Sequence, residues 1–527
     1  MSGIYGALGG DAFGFSLLVF ALAAIGLGFV GAKLSVWTIF IATGLILLGI
    51  NPVVLVLVLV PLILFNIKPV RRALVTKTLV NILKKLNILP EISETERVAL
   101  EAGSTWVDKE IFSGKPDFKA IAREPYKKIS GEALDFINGP CEEVCKMVDD
   151  WDVYKKGDLP KEVWDYLKKE KFFGMIISKE YGGLGFSAIA NSEVVAKLSS
   201  RSAPLAITVM VPNSLGPAEL LSHYGTKEQK EHYLPRLADG REIPCFALTE
   251  PGAGSDAGGM TSNGVVFKDS DGSIKIRLNW EKRYITLAAV ATVLGLAVKL
   301  KDPDNLLGKG KFPGITCVLV PADSKGVILG QRHNPMGVPF YNCPTRGEDV
   351  VVGIDQIIGG AEYAGRGWQM LMECLAVGRS ISLPAQSTGG TKLVARVAGA
   401  YSAIRKQFGL EIGKFEGIEE PLARIGGFSY LLEASRIFTV GAVDSGIKPS
   451  VVSAIAKYNS TELFRTAIND GMDILGGAAI SRGPRNILAN GYIAAPIGIT
   501  VEGANILTRS MIIFGQSGSR AVLFISP

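Results

Sequence analysis

The stretch Cys245-Phe-Ala-Leu-Thr-Glu-Pro-Gly-Ala-Gly-Ser-Asp256 has the residue types and spacing of a ligand loop. Phe246 and Leu248 alternate with smaller residues, as in a strand. Pro251, Gly252 and Gly254 then predict a tight loop, the proline by fixing φ and the glycines by permitting positive φ. Such a loop turns backbone N–H groups and small hydroxyls outward, which suits a phosphate or the polar edge of a flat heterocycle. Pro-Gly-Ala-Gly alone is equally the sequence of a hairpin turn. Tyr284-Ile-Thr286 places an aromatic ring and a hydroxyl on one strand face, able to cover a flat ring, although core packing explains the pair as well. Glu502 sits alone among Ile499, Val501, Ala504 and Ile506, just before a predicted helix, where a carboxylate commonly caps the helix.

Other chemistries are poorly supported. Three histidines (His223, His232, His333) leave little for His-based catalysis or a metal site. Six dispersed cysteines suggest neither disulfides nor zinc, and a reducing compartment is expected. Gly182, Gly183 and Gly185 are a weak nucleotide-loop signal, lacking a strand before and a helix after. The net charge of +6 is equalled by one basic block, Lys68, Arg71, Arg72, Lys77, Lys84 and Lys85, beside an apolar segment. That pairing points to a membrane surface and away from nucleic acid.

The elements that must position these residues follow from texture. Phe13–Ala32 is apolar enough for a span, and Val36–Ile67 is a second apolar run broken at Asn51-Pro52. The basic flank predicts a cytoplasmic side and an amphipathic helix along the headgroups. We expect transmembrane segments at 1–67, a basic amphipathic linker at 68–90, and a helical domain at 91–240 in which Asp158 or Leu159 caps a helix. A β domain at 241–355 should follow, with strands at 264–269, 273–280, 315–321 and 326–330. Last comes a helical domain at 356–527, with helices at 368–385, 391–408, 421–443, 450–475 and 506–514. The fold class is α+β, with a central β domain between helical domains.

In order along the chain, Pro160–Trp164, Tyr181–Gly185, Phe246–Asp256, Tyr284–Thr286, Gly378-Arg379, Arg405–Gly409, Gly476-Gly477 and Glu502-Gly503 resemble the landmarks of the acyl-CoA dehydrogenase family. Thr500-Val-Glu-Gly-Ala-Asn-Ile-Leu-Thr-Arg509 and the apolar N-terminus look like its long, membrane-associated bacterial FadE-type branch. The resemblance implies FAD as cofactor, held by Phe246, Leu248, Thr249, Gly254, Ser255, Tyr284 and Thr286. Arg405, Gln407, Phe408, Gly476 and Gly477 would reach it across a subunit interface, as in a homodimer. Ser255 and Arg379 would contact substrate, no metal is implied, and Glu502 would be the catalytic base. A base for so weak an acid must be desolvated, and the apolar neighbours of Glu502 provide that.

The implied activity is conversion of fatty acyl-CoA to trans-2-enoyl-CoA, the first step of fatty-acid β-oxidation. Electrons would pass to an electron-transfer flavoprotein or a membrane electron acceptor. The implied location is membrane lipid of the bacterial inner membrane, with the catalytic part cytoplasmic. Ala376, Asp473, Ala504 and Ile506 depart from polar residues frequent in the family, and FadE-type chains continue further, so a shortened form is expected. A catalytically impaired acyl-CoA-binding scaffold and a flavin enzyme for another acyl thioester are the alternatives.

Overall fold

The computed structural model describes residues 10–86, 97–98, 103–510 and 512, apart from 125, 127 and 215. The expected C-terminal shortening and the end of the 506–514 helix lie outside them. The chain forms two units, Met1–Ser93 and Glu94–Pro527.

In the first unit, α1 (Gly10–Phe29), α2 (Leu34–Leu47) and α3 (Pro52–Asn66) are separate helices. Asn51 breaks the second apolar run and caps α3, accepting from the Val53 N–H at 2.9 Å. Phe20 stacks on Phe40 at 4.1 Å, and Asn66 Nδ2 donates to Thr38 Oγ1 at 2.8 Å, which latches α3 to α2. Large apolar side chains elsewhere on these helices stay exposed, Phe15 at 69% and Leu57 at 68%. Among the described residues no single helix is long and apolar enough to cross a membrane. Pro52–Asn66 and Lys68–Leu83 reach that length and composition together, but with a 98° bend between them. The basic stretch ends in α4 (Lys77–Lys85).

After two helical turns at Val107–Phe112 and Phe118–Ile121, the second unit continues with short helices: α5 (Glu132–Asn138), α6 (Pro140–Met147), α7 (Asp150–Lys156), α8 (Lys161–Lys169), α9 (Ala188–Ser199), α10 (Ala203–Met210), α11 (Pro217–Tyr224) and α12 (Lys227–Ala238). Thr226 and Gln229 close a capping box at α12. Asp158 does not cap α8; Pro160 occupies that position. The Asp158 carboxylate instead accepts from the Leu159 N–H, Trp164 Nε1 and the Tyr341 hydroxyl.

A seven-stranded sheet follows, formed by β1 (Pro244–Ala247), β2 (Asn263–Lys268), β3 (Ile274–Thr286), β4 (Val293–Lys301), β5 (Gly314–Pro321), β6 (Val327–Leu329) and β7 (Asn342–Gly353). β1 and β2 pair in parallel with successive parts of β4, whose other partner is β5. β4 and β7 are absent from the predicted strands. The Val293–Leu300 segment of β4 is almost wholly buried, so it lacks the polar alternation that marks a half-exposed strand.

The closing bundle is α13 (Gly367–Ile404), α14 (Glu416–Asp444), α15 (Ser450–Leu475) and α16 (Leu488–Gly498). α13 joins the two helices expected at 368–385 and 391–408. Gly389 and Gly390 are points of close packing and do not break it. A Cβ at Gly389 would lie 2.1 Å from the Ala196 carbonyl oxygen, and one at Gly390 would lie 2.5 Å from the Phe464 ring. Arg405–Gly409 leaves the helix: β8 (Lys406–Gln407) and β9 (Leu410–Glu411) form a hairpin turned by Phe408 and Gly409 at φ +52° and +81°.

Candidate functional site

The sequence-predicted residues fall into three groups. In the first, Phe246 and Leu248 lie half-buried against a buried apolar cluster that includes Met370, Leu371 and Cys374 of α13. Thr249 accepts a hydrogen bond from the Arg283 N–H at 3.0 Å through its carbonyl, which ties the loop to β3. Gly252 and Gly254 do not take the positive φ expected of them. A Cβ on either would meet nothing within 4 Å, so neither backbone nor neighbouring atoms demand glycine there. What the missing side chains leave is an open cradle beside the exposed Ser255.

Tyr284 does not pack in the core. It adopts φ +59° where the β3–β7 register shifts, and its ring is 58% exposed. The Arg283 guanidinium lies 4.8 Å from that ring, and His333 packs against it at 5.1 Å. Thr286 Oγ1 accepts from Asn342 Nδ2 at 3.3 Å. Arg283 Nε is buried with no partner.

An ion pair that the sequence reading missed anchors this loop. Lys282 Nζ donates to Glu250 Oε1 and to the Leu248 carbonyl, both at 2.9 Å, with the two side chains 0% and 2% exposed. Burial by itself would raise the Glu250 carboxyl. Lys282 and the donors of Thr261 and Ser262 outweigh that and hold it at about 2. Burial lowers Lys282, against the pull of Glu250. The extra donors on the carboxylate keep the pair ionised. The signal was available, since Ile276, Leu278, Trp280 and Lys282 share one parity of β3 and all are buried. Lys282→Met strands a buried carboxylate and should cost about 3–5 kcal/mol in urea unfolding. The double variant Lys282→Met, Glu250→Leu removes both charges together and should recover most of that loss.

The second group is Arg405, Gln407, Phe408, Gly476 and Gly477, which line one open concavity of about 600 Å³ with Phe415 and Leu475. Phe408 is 95% exposed there. Arg405 lies 31 residues beyond Cys374 along α13, about 46 Å at 1.5 Å per residue. Within one chain this concavity is therefore far from the Phe246 loop.

The third group surrounds Glu502, which caps nothing. Its residue has φ +55°, and both carboxylate oxygens are buried without a hydrogen-bond partner. Burial raises the carboxyl to about 7, against the lowering effect of Arg379 and Lys457. The nearby Ser382 hydroxyl donates instead to the Gly378 carbonyl at 2.9 Å. Arg379 projects from α13 to the Gly503 backbone, where a Cβ would meet its Nη2 at 3.4 Å, and its Nε is buried without a partner. Burial lowers the Arg379 guanidinium, and Glu502 opposes that shift.

Lys457 of α15 completes this group. Its Nζ donates to the Gly503 carbonyl at 2.8 Å and to Asn505 Oδ1 at 2.7 Å. Asn505 Nδ2 donates in turn to Thr461 Oγ1 at 2.9 Å and Glu462 Oε1 at 2.8 Å. Burial brings Lys457 down to about 8. The sequence reading missed Lys457 too, although it sits on the buried face of α15 with Ser453, Ser460 and Thr461. The cluster can hold a carboxyl that ionises near neutrality in a dry site, which suits proton transfer. Among the described residues no group of acidic, histidine or cysteine side chains could hold a metal ion.

Comparison with known proteins agrees with this arrangement. Residues 132–241, 245–350 and 365–514 match the families described as acyl-CoA dehydrogenase N-terminal, middle and C-terminal domains. Over 104 residues the chain is 61% identical to "Protein HemX" of Proteus mirabilis, covering 20% of this chain and 61% of that one. A 3-(aryl)acrylate reductase of Clostridium sporogenes is 33% identical over 361 residues, 67% of this chain and 89% of its own length. A probable acyl-CoA dehydrogenase FadE10 of Mycobacterium tuberculosis is 29% identical, covering 74% of this chain and 58% of its own. The chain thus spans about three fifths of the length of the first and last of these relatives. Among solved structures, an acyl-CoA dehydrogenase of Bacillus anthracis complexed with FAD superimposes with TM-score 0.67 at 22% identity, over 76% of this chain and 70% of that one.

Proposed function

The chain belongs to the acyl-CoA dehydrogenase family of FAD-dependent oxidoreductases, and from that premise we propose that it converts fatty acyl-CoA to trans-2-enoyl-CoA. The observation that carries this reading is the buried, unpartnered Glu502 carboxyl raised to about 7. In its ionised form Glu502 removes the proton α to the thioester carbonyl. The dry surroundings keep water from competing for that carboxylate, and Arg379 and Lys457 limit how far its pKa climbs.

The residues present fit FAD. Gly252 and Gly254 leave the loop open to a close approach, Tyr284 offers an exposed ring face, and Arg283 Nε lacks a partner. Phe246, Leu248, Thr249, Gly254, Ser255, Tyr284 and Thr286 would hold it, with Ser255 and Arg379 towards the substrate. When bound, the flavin supplies the acceptor for the β-hydrogen. The separation of about 46 Å along α13 means that Arg405, Phe408, Gly476 and Gly477 can serve this site only from a second copy. That supports a homodimer. Electrons would pass to an electron-transfer flavoprotein or a membrane acceptor. The exposed apolar helices α1–α3, followed by the basic stretch to Lys85, support attachment to the cytoplasmic face of a bacterial inner membrane.

A second reading, reaction of another acyl thioester, is favoured by the relative named 3-(aryl)acrylate reductase, of which the chain covers 89%. The test is an absorption spectrum of the detergent-extracted protein before and after anaerobic palmitoyl-CoA. Bleaching of a bound-flavin band is expected. A flavin band that persists would move the second reading ahead, and purification without flavin would overturn both in favour of a binding scaffold.

A further inference from the structure

The Thr286 hydroxyl ends a three-residue hydrogen-bonded chain. Thr286 closes β3 and stands opposite Asn342, the first residue of β7, so the two side chains are cross-strand neighbours. Asn342 Nδ2 donates to Thr286 Oγ1 at 3.3 Å. Asn342 Oδ1 lies 2.7 Å from His333 Nδ1, and the Asn342 carbonyl accepts from the His333 N–H, also at 2.7 Å. His333 is therefore held to Asn342 at two points, by its backbone and by its imidazole. Tyr284 packs against that imidazole at 5.1 Å. Asn342 itself is only 8% exposed, which shields its amide from water.

The chain has a direction. An amide oxygen only accepts, so His333 Nδ1 carries a hydrogen and donates it to Asn342 Oδ1. That leaves the Asn342 amide nitrogen facing Thr286. A threonine hydroxyl has one hydrogen and two lone pairs. Asn342 occupies a lone pair, so the hydroxyl hydrogen has to point elsewhere. Turning the amide over would reverse the chain: Asn342 Oδ1 would take the hydroxyl hydrogen, and Thr286 would offer only a lone pair. A hydrogen on His333 Nδ1 opposes that reversal, because it would then face the hydrogens of the amide nitrogen.

We propose that His333 and Asn342 are positioning residues for the flavin, holding the Thr286 hydroxyl as a hydrogen-bond donor to an acceptor atom of the flavin ring. The inference rests on the FAD reading above, in which Thr286 helps to hold the cofactor. His333 and Asn342 act through Thr286 and need no contact with the flavin themselves.

The test is a double-mutant cycle on the detergent-extracted, flavin-loaded protein. FAD affinity is read from the fluorescence of FAD released on serial dilution, and the reduction potential of the bound flavin is the second readout. Thr286→Val should weaken FAD binding about tenfold, the loss of one hydrogen bond. His333→Gln should weaken it about threefold, since the Gln amide nitrogen lies one bond further from the backbone than Nδ1 and no longer fixes Asn342. His333→Asn places an amide nitrogen as many bonds from the backbone as Nδ1, and should stay within about 1.5-fold of wild type. In the Thr286→Val background, His333→Gln should cost nothing further. The potential should move in the same direction in Thr286→Val and His333→Gln, and stay in place in His333→Asn. Unchanged FAD affinity in Thr286→Val, equal behaviour of His333→Asn and His333→Gln, or the same His333→Gln loss with and without the Thr286 hydroxyl overturns the proposal and leaves His333 as packing for Tyr284. Any of these in a protein that carries FAD overturns this inference alone. A wild type that carries no FAD overturns the flavin reading and this inference with it.

Discussion

Replacing Glu502 by Gln should lower turnover of acyl-CoA by roughly 10⁴-fold at pH 8, the upper range for loss of a general base, while flavin remains bound. It should also stabilise the protein. In the folded state the Glu502 carboxyl sits at about 7, well above the ordinary carboxylate range near 4.5. A group raised on folding is at no disadvantage below its unfolded pKa, and its cost builds as the pH rises through the folded value. At pH 8 that cost is roughly 3 kcal/mol, which Gln, of similar size and uncharged, removes. Denaturation curves of wild type and Glu502→Gln should therefore diverge from about pH 5 to pH 8 and coincide below about pH 4. In the wild type, the rate should rise with pH through about 7. Full turnover by the variant would sink the assignment of Glu502 as base, and a variant less stable than wild type at pH 8 would contradict the buried, unpartnered carboxylate.

Lys457→Met should produce the second large effect. Its ammonium holds the Gly503 carbonyl at 2.8 Å and Asn505 Oδ1 at 2.7 Å, on either side of a loop with positive φ at both Glu502 and Gly503. Removing it leaves two buried acceptors unmatched, a loss of about 3 kcal/mol. A displaced base should lower turnover by about 10²-fold. Lys457 also holds down the Glu502 pKa, so the ascending limb of the rate profile should move to higher pH. An even loss at every pH, with the limb unmoved, would reduce Lys457 to a purely structural role. Lys457→Arg should keep the limb in place, because it keeps the charge.

Local signals were legible where the chain's pattern repeats over short range. The strand leading into Thr249 appears as β1, and the helix expected at 450–475 appears as α15, ending at Leu475 where Gly476 takes φ +56°. They fail where a neighbour decides. The gap expected between helices at 368–385 and 391–408 does not open, and Gly389 and Gly390 within it are small because Ala196 and Phe464 press against α13. Gly252 and Gly254 read as turn formers, yet they take no positive φ and leave space instead. β4 went unseen because burial on both faces erases its alternation.

By itself the sequence determined the order of the layers, helical, β and helical, and the ordered motifs that carry the family resemblance. Both depend on periodicity and on residue type at close spacing, which any reader of the chain can measure. Only the tertiary structure decided the electrostatics. Glu502, Arg379 and Lys457 are separated by 45 or more residues, and Glu250 by 32 from Lys282. Charge interactions depend on distance and burial, and the chain fixes those only when α13, α15 and the Glu502 loop close over one another and exclude water.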